Sequence, residues 1–286
     1  MSDARGTDDG PSHASDRYEV IVVGAGQAGL AIGYYLKRQG RRFTILEATD
    51  APAAAWRQRW DSLRLFTPAR YDSLPGRAFP GDPDSYPGRD DVVEYLTDYA
   101  RAFQLPVELN SRVRAVRRTD GGYLVTLDAR TYEAEQVVIA TGPFQTPRGP
   151  TIAEHLDPGI VQLHSTAYRR PDQVPPGRVL VVGGGNTGFQ IAEELSRSHE
   201  VHLSIGSRQT PLPQRIAGRD LFRYLEATGA MRVIVDSPLG KRLRHRETLI
   251  GSSPRAARRR YGIRLHGRTI DAQGSEVMLS DGGRLC

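Results

Sequence analysis

The chain has 286 residues, a formal net charge of +6 and a single cysteine, Cys286. That length supplies material for about two domains with packed cores, and one cysteine excludes an internal disulfide and any Cys-x-x-Cys redox pair. No apolar run of about 18 residues and no basic-then-apolar leader occurs, so a soluble, cytoplasmic protein without membrane partners is expected.

Residues 1–16 are small, polar and proline-bearing, and are expected to be a disordered tail. The β-branched run Tyr18-Glu19-Val20-Ile21-Val22-Val23 then reads as a buried parallel strand that leads into VVGAGQAG at 22–29. Beyond it, Gly29, Ile32, Gly33 and Leu36 recur at i, i+3, i+4, i+7, the small-and-apolar face of a helix. In this strand-turn-helix Gly24 permits the tight turn, Gly26 lets a pyrophosphate approach the backbone, and Gly29 lets helix and strand touch, with Ala25, Gln27 and Ala28 between them. The strand at 42–46 runs into Glu47, an acid about 20 residues beyond the glycines, placed to accept from the ribose 2′-hydroxyl of FAD or NAD.

Residues 50–88, rich in Pro, Gly and Arg, read as irregular loops carrying Trp56 and Trp60. A helix is predicted over 91–103, with Val92, Tyr95, Leu96, Tyr99 and Phe103 on one face. Meander strands are predicted over 112–117 and 122–128, joined through Asp120-Gly121-Gly122. Residues 136–140 form a further buried strand ending in Thr141-Gly142-Pro143, either a turn that admits a ligand or a plain loop breaker.

The pattern then repeats. Residues 178–182 precede VVGGGNTG at 181–188, and Gly188, Ile191, Ala192 and Leu195 repeat the helical stripe. Gly183, Gly185 and Gly188 take the three glycine roles, with Asn186 and Thr187 at the helix start. Counting 159 residues on from Glu47 reaches Gly206, followed by Ser207 and Arg208. A carboxylate there would repel a 2′-phosphate, whereas a hydroxyl and a guanidinium would hold one, so this copy suits NADPH. The basic stretch at 240–262 has no aromatic platform for bases and reads as a solvated face that attracts anionic NADPH, with no nucleic-acid partner. Residues 274–285 resemble the meander at 121–135, so the strand equivalent to 136–140 is expected near 299, beyond Cys286.

In order, VVGAGQAG, W-x-x-R-W-x-x-L-R-L at 56–65, ATGPFQTPRGP at 140–150, H-S-x-x-Y at 164–168, VVGGGNTG and LPQRIAGRDLF at 212–222 resemble the flavin-containing monooxygenases, in their bacterial and plant YUCCA-like branch. The resemblance implies an α/β fold of two Rossmann-like dinucleotide-binding domains, three-layer parallel sheets with β-meander crossovers: FAD on 17–155 and NADPH on 156–286. It also implies that a last strand and a returning FAD-domain segment are missing, a C-terminal truncation. The FAD set is then Gly24, Ala25, Gly26, Gln27, Ala28, Gly29, Glu47, Trp56, Val113, Ala140, Thr141 and Gly142. The NADPH set is Gly183, Gly185, Asn186, Thr187, Gly188, Ser207 and Arg208, and no metal is expected. The implied chemistry is oxygen activation as a C4a-(hydro)peroxyflavin and transfer of one oxygen atom from O2 to a small organic substrate. Thr67, on the loop 65–68, is either a hydrogen-bonding residue near the flavin's reactive edge or a buried turn threonine; His164 is either a site residue or a linker histidine. The family's F-x-G-x-x-x-H-x-x-x-Y motif is broken by Pro158 and Ile160, and Arg169 after Tyr168 departs from the Baeyer-Villiger form. A nucleotide-binding remnant without turnover and an NADPH oxidase or flavin reductase share these motifs.

Overall fold

The computed structural model of the chain describes residues 17–144, 146–234, 236–243 and 247–286, so the expected tail lies outside the described residues. It divides into two compact units, one of residues up to 54 with 74–76 and 96–143, the other of 55–73, 77–95 and 144–286. This differs from a single cut at 155. The irregular stretch after residue 54 joins the second unit because Trp60 and Leu63 are buried in that unit's core.

The first unit contains β1 (Arg17–Val23), α1 (Gln27–Arg38), β2 (Phe43–Leu46), β3 (Val107–Glu108), β4 (Ala115–Thr119), β5 (Gly122–Thr126) and β6 (Thr131–Ile139). Its six-stranded sheet has the order β3-β2-β1-β6-β5-β4. The first four strands in that order are parallel and the last two extend β6 as an antiparallel meander. Val20 to Val23 and Phe43 to Leu46 are buried throughout, as expected of parallel strands covered on both faces. The run at 136–140 differs: the strand begins at Thr131, alternates between buried Tyr132 and Ala134 and exposed Glu133 and Glu135, and ends with Ile139 62% exposed. The helical stripe is also turned, with Gly29, Leu30 and Gly33 buried and Ile32 on the exposed side. Gly33 lets the helix lie close on the sheet: a Cβ there would lie 2.7 Å from Ile45 Cδ1, and that side chain would have to shift.

Between the two fingerprints lie the short helix α2 (Ala54–Arg57) and α3 (Arg89–Ala102). α3 starts two residues ahead of the sequence expectation because Asp91 Oδ2 accepts from the Gly88 N–H at 2.7 Å, a cap that draws in the preceding residues.

In the second unit β7 (Arg178–Val182), β8 (Glu200–Ser204) and β13 (Arg264–His266) form a parallel sheet of order β13-β8-β7, with α4 (Asn186–Leu195) following β7. β7 is an edge strand of that sheet, so the expected full burial fails and Val182 is 54% exposed. β9 (Gln209–Leu212) pairs in parallel with β12 (Glu247–Ile250), and β10 (Arg215–Ile216) with β11 (Arg219–Asp220) as a hairpin. Helices α5 (Leu221–Ala227), α6 (Pro238–Leu243) and α7 (Pro254–Tyr261) complete the unit, with the expected terminal meander seen as β14 (Thr269–Gln273), β15 (Glu276–Leu279) and β16 (Arg284–Leu285). Its core gathers Trp60, Phe189, Leu195, Leu203, Leu249 and Ile263, with Trp56 packed against them. Each such side chain contributes about 1.5–3 kcal/mol on full burial.

Candidate functional site

The two glycine phrases fold to the same turn. Gly24 has φ +106° and Gly183 φ +124°, a region that disfavours any side chain. A Cβ at Gly29 would lie 1.9 Å from Gly24 O, and one at Gly188 equally close, 1.9 Å, to Gly183 O. Gly26 and Gly185 are the N-caps of α1 and α4, and in neither helix does a side chain cap the end or an acid occupy the first turn. Both helix N-termini thus present N–H groups and positive potential, the requirement for holding a phosphate. A Cβ at Gly26 would meet nothing within 4 Å, so the first turn is open to the approach of a dinucleotide pyrophosphate.

The strand ends separate the two sites, and the offset of 159 residues overshoots the second one by a single position. Gly24 N–H donates to Leu46 O at 2.8 Å and Gly183 N–H to Ser204 O at 3.0 Å, so the counterpart of Leu46 is Ser204 and that of Glu47 is Ile205, not Gly206. The stretch from helix to strand end is one residue shorter in the second copy. Glu47 is 7% exposed; its Oε2 accepts from the Ala25 N–H at 2.9 Å, and its Oε1 from the Thr49 N–H at 3.1 Å and Thr49 Oγ1 at 2.9 Å. Three of a carboxylate's roughly four acceptor positions are thereby used, which leaves capacity for a sugar hydroxyl. At the second site the Ile205 side chain lies over the corresponding backbone, its Cγ2 2.8 Å from where a Cβ on Gly184 would be. The acid is therefore replaced by an apolar branch, and Gly206, Ser207 and Arg208 follow it as exposed residues.

The strand that ends at Ile139 brings its turn to the first site. Ala140 N–H donates to Val23 O at 2.9 Å, and a Cβ on Gly24 would stand 2.7 Å from Ala140 O, so Ala140 and Thr141 border the glycine turn. Gly142 follows with φ +74°, and Gln27 and Ala28 are exposed on the first turn of α1. Val113 packs partly buried against the core of Ile21, Val23 and Leu46. Trp56 packs with the second unit's core, through the same loop that carries Trp60.

At the second site Asn186 turns its amide away from the helix end: Nδ2 donates to Thr248 O at 3.2 Å and Oδ1 accepts from the Ile250 N–H at 3.0 Å, tying α4 to β12. Thr187 is half-buried on the first turn. His164 is exposed, with Nδ1 2.9 Å from Thr166 Oγ1 inside its own turn, whereas Tyr168 is buried and donates to Glu194 Oε2 at 2.7 Å. Thr67 Oγ1 donates to Asp72 Oδ1 at 2.5 Å. Burial pushes the Asp72 carboxyl up from 3.8 to about 6, opposed by that one hydrogen bond.

A cavity of about 490 Å³ in the second unit is lined by Leu65, Phe66, Tyr86, Gln190, Gln214 and Ile250 among others. Gln190 Nε2 donates to Arg64 O at 3.0 Å and Gln214 Nε2 to Phe66 O at 2.7 Å, so two amides hold the loop on either side of Leu65. Sequence reasoning passed over Tyr86, Gln190 and Gln214. The only signal for Gln190 was its place two residues beyond the third glycine.

The family model described as "Pyridine nucleotide-disulphide oxidoreductase" matches residues 21–215. An uncharacterized CzcO-like oxidoreductase of Geobacillus kaustophilus is 40% identical over 268 residues, 93% of this chain and 77% of that protein. Indole-3-pyruvate monooxygenase YUCCA1 of Oryza sativa is 33% identical over 71% of this chain, which spans about half of that relative, 51%. A solved flavin-containing monooxygenase from Stenotrophomonas maltophilia superposes with a TM-score of 0.76 at 28% identity, covering 95% of this chain and 76% of its own. No helix among the described residues is long and apolar enough to cross a membrane.

Proposed function

This chain belongs to the flavin monooxygenases of the pyridine nucleotide-disulphide oxidoreductase family, and from that premise we propose that it uses NADPH to place one oxygen atom of O2 on a small organic substrate. The observation that carries the reading is one glycine turn built twice with opposite strand ends, Glu47 in the first unit and Ile205 in the second. FAD belongs to the first turn. There the uncapped N–H groups of α1 bind the pyrophosphate, Glu47 accepts from the ribose, and Ala140, Thr141 and Gly142 form the border, with Val113 behind them. NADPH belongs to the second turn, with Gly183, Gly185, Thr187 and Gly188 at the pyrophosphate and Ser207 and Arg208 at the 2′-phosphate.

When bound, the flavin supplies the hydride acceptance and oxygen activation, and the protein supplies binding, orientation and exclusion of water. Gln190 and Gln214 keep the 64–66 loop in one conformation around the cavity, and Thr67 is held to Asp72. His164 is bonded within its own turn and serves as a structural linker residue.

The test is to purify the protein, identify the released flavin, and follow NADPH and NADH oxidation in air together with hydrogen peroxide. Bound FAD, preference for NADPH, and less peroxide than NADPH consumed once a substrate is supplied are expected. Colourless protein that binds NADPH without oxidising it, or peroxide equal to NADPH with every substrate, would overturn the reading.

A further inference from the structure

We infer that Arg268 is a second specificity-determining cation of the nucleotide site at the end of β8, holding the ribose 2′-phosphate together with Arg208. This rests on the reading of that site as an NADPH site.

β13 runs parallel to β8, with Arg264, Leu265 and His266 beside His202, Leu203 and Ser204. That register carries the residues after β13 to the same carboxyl edge as the turn of Gly206 to Arg208. Ser204 pins the connection on both sides of Arg268: its Oγ donates to Gly267 O at 2.9 Å and accepts from the Thr269 N–H at 2.9 Å. Between those anchors Arg268 reaches over the turn, and its Nη2 donates to Gly206 O at 3.0 Å. Its Nε lies 3.1 Å from where a Cβ on Gly206 would stand. Glycine at 206 thus leaves room for the guanidinium to lie close over the turn, and a side chain there would crowd it.

The side chain is exposed, and the bond to Gly206 O uses one of a guanidinium's five N–H donors. Asp281, in the turn between β15 and β16, is turned to the backbone, accepting from the Gly267 N–H at 2.7 Å and the Gly283 N–H at 3.1 Å. The first unit supplies the comparison. There Glu108 takes the place of His266, so Asn110 takes that of Arg268, and its N–H donates to Thr49 O at 2.8 Å. The turn that ends in an acid has a neutral neighbour; the turn that lacks one has a guanidinium. A planar fork over a turn that carries Arg208 two residues further on matches the oxygens of a phosphate monoester and gains far less from a neutral 2′-hydroxyl.

The test is calorimetric titration of the full chain, wild type and Arg268→Ala, with 2′,5′-ADP and with 5′-AMP. Wild type should bind 2′,5′-ADP more tightly than 5′-AMP. Arg268→Ala should weaken 2′,5′-ADP about 10- to 100-fold and leave 5′-AMP unchanged. Arg268→Glu should weaken 2′,5′-ADP further. Equal losses for both ligands, or no loss for 2′,5′-ADP, would overturn the role of Arg268 while leaving the site an NADPH site. Wild-type protein that does not distinguish the two ligands would instead overturn the NADPH reading itself, and this inference with it.

Discussion

Glu47 and Ile205 stand at the same point of two equivalent strand ends: the N–H of each donates to the neighbouring parallel strand's last carbonyl, Glu108 O at 2.9 Å and His266 O at 3.0 Å. One is a carboxylate bonded to the Ala25 N–H, the other an aliphatic branch over Gly184. Ile205→Glu would give the second site the first site's acid, with the Gly184 N–H in the place of Ala25's. Its charge would oppose a 2′-phosphate. The ratio of kcat/KM for NADPH over NADH should fall by about tenfold or more, and an unchanged ratio would show that the strand end does not read the 2′ position.

Arg208→Ala should cost NADPH binding about 1.5–3 kcal/mol, the worth of a charge-assisted hydrogen bond, and leave NADH nearly untouched. Dissociation constants for both coenzymes check this. Equal weakening would remove Arg208 from the 2′-phosphate.

Gly26 and Gly29 should respond differently to added side chains. A Cβ at Gly26 meets nothing within 4 Å, so Gly26→Val should fold normally, with an unchanged circular dichroism spectrum, yet purify without the flavin's visible absorbance. Gly29→Ala puts a Cβ 1.9 Å from a backbone oxygen and should lower stability by about 3 kcal/mol or more in denaturant titration. Retention of full flavin by Gly26→Val would move the FAD site elsewhere.

Asp72 gives stability a pH dependence of unusual sign. Burial lifts its carboxyl from an ordinary 3.8 to about 6 in the folded protein, so between those values the folded state binds the extra proton and stability falls as pH rises. Above both values the buried charge is a constant cost. Asp72→Asn keeps an acceptor for Thr67 Oγ1 and should stabilise the protein at pH 8 by about 1–3 kcal/mol, discounted for partial exposure. It should also flatten the stability profile between about pH 4 and 6. Unfolding curves over that range decide it; parallel profiles for wild type and variant would contradict the assignment.

The glycine turns were legible in sequence because each glycine answers a local demand, a left-handed φ at Gly24 and a backbone contact at Gly29, repeated at Gly183 and Gly188. Strands β1, β2 and β7 followed from their β-branched runs. The counterpart of Glu47 was misplaced by one residue because a link between helix and strand can change length without altering either, and only hydrogen bonds between distant strands show the slip. The destination of the loop from 55 to 73 was hidden for a related reason. Irregular chain has no period, so Trp60 and Leu63 carried no sign of which core they enter. Arg268 and Gln214 act through partners 62 and 148 residues away, at Gly206 and Phe66.

Trp56 and Trp60 are the chain's two tryptophans, both lie in the second unit, and Trp60 is only 2% exposed in its core. Indole emission is therefore an optical signal private to that unit. With excitation selective for tryptophan, a melting curve follows the second unit alone, whereas far-ultraviolet dichroism follows both units. Coincidence of the two curves would mark a single cooperative transition, and separation would give the order in which the halves unfold, with no label attached.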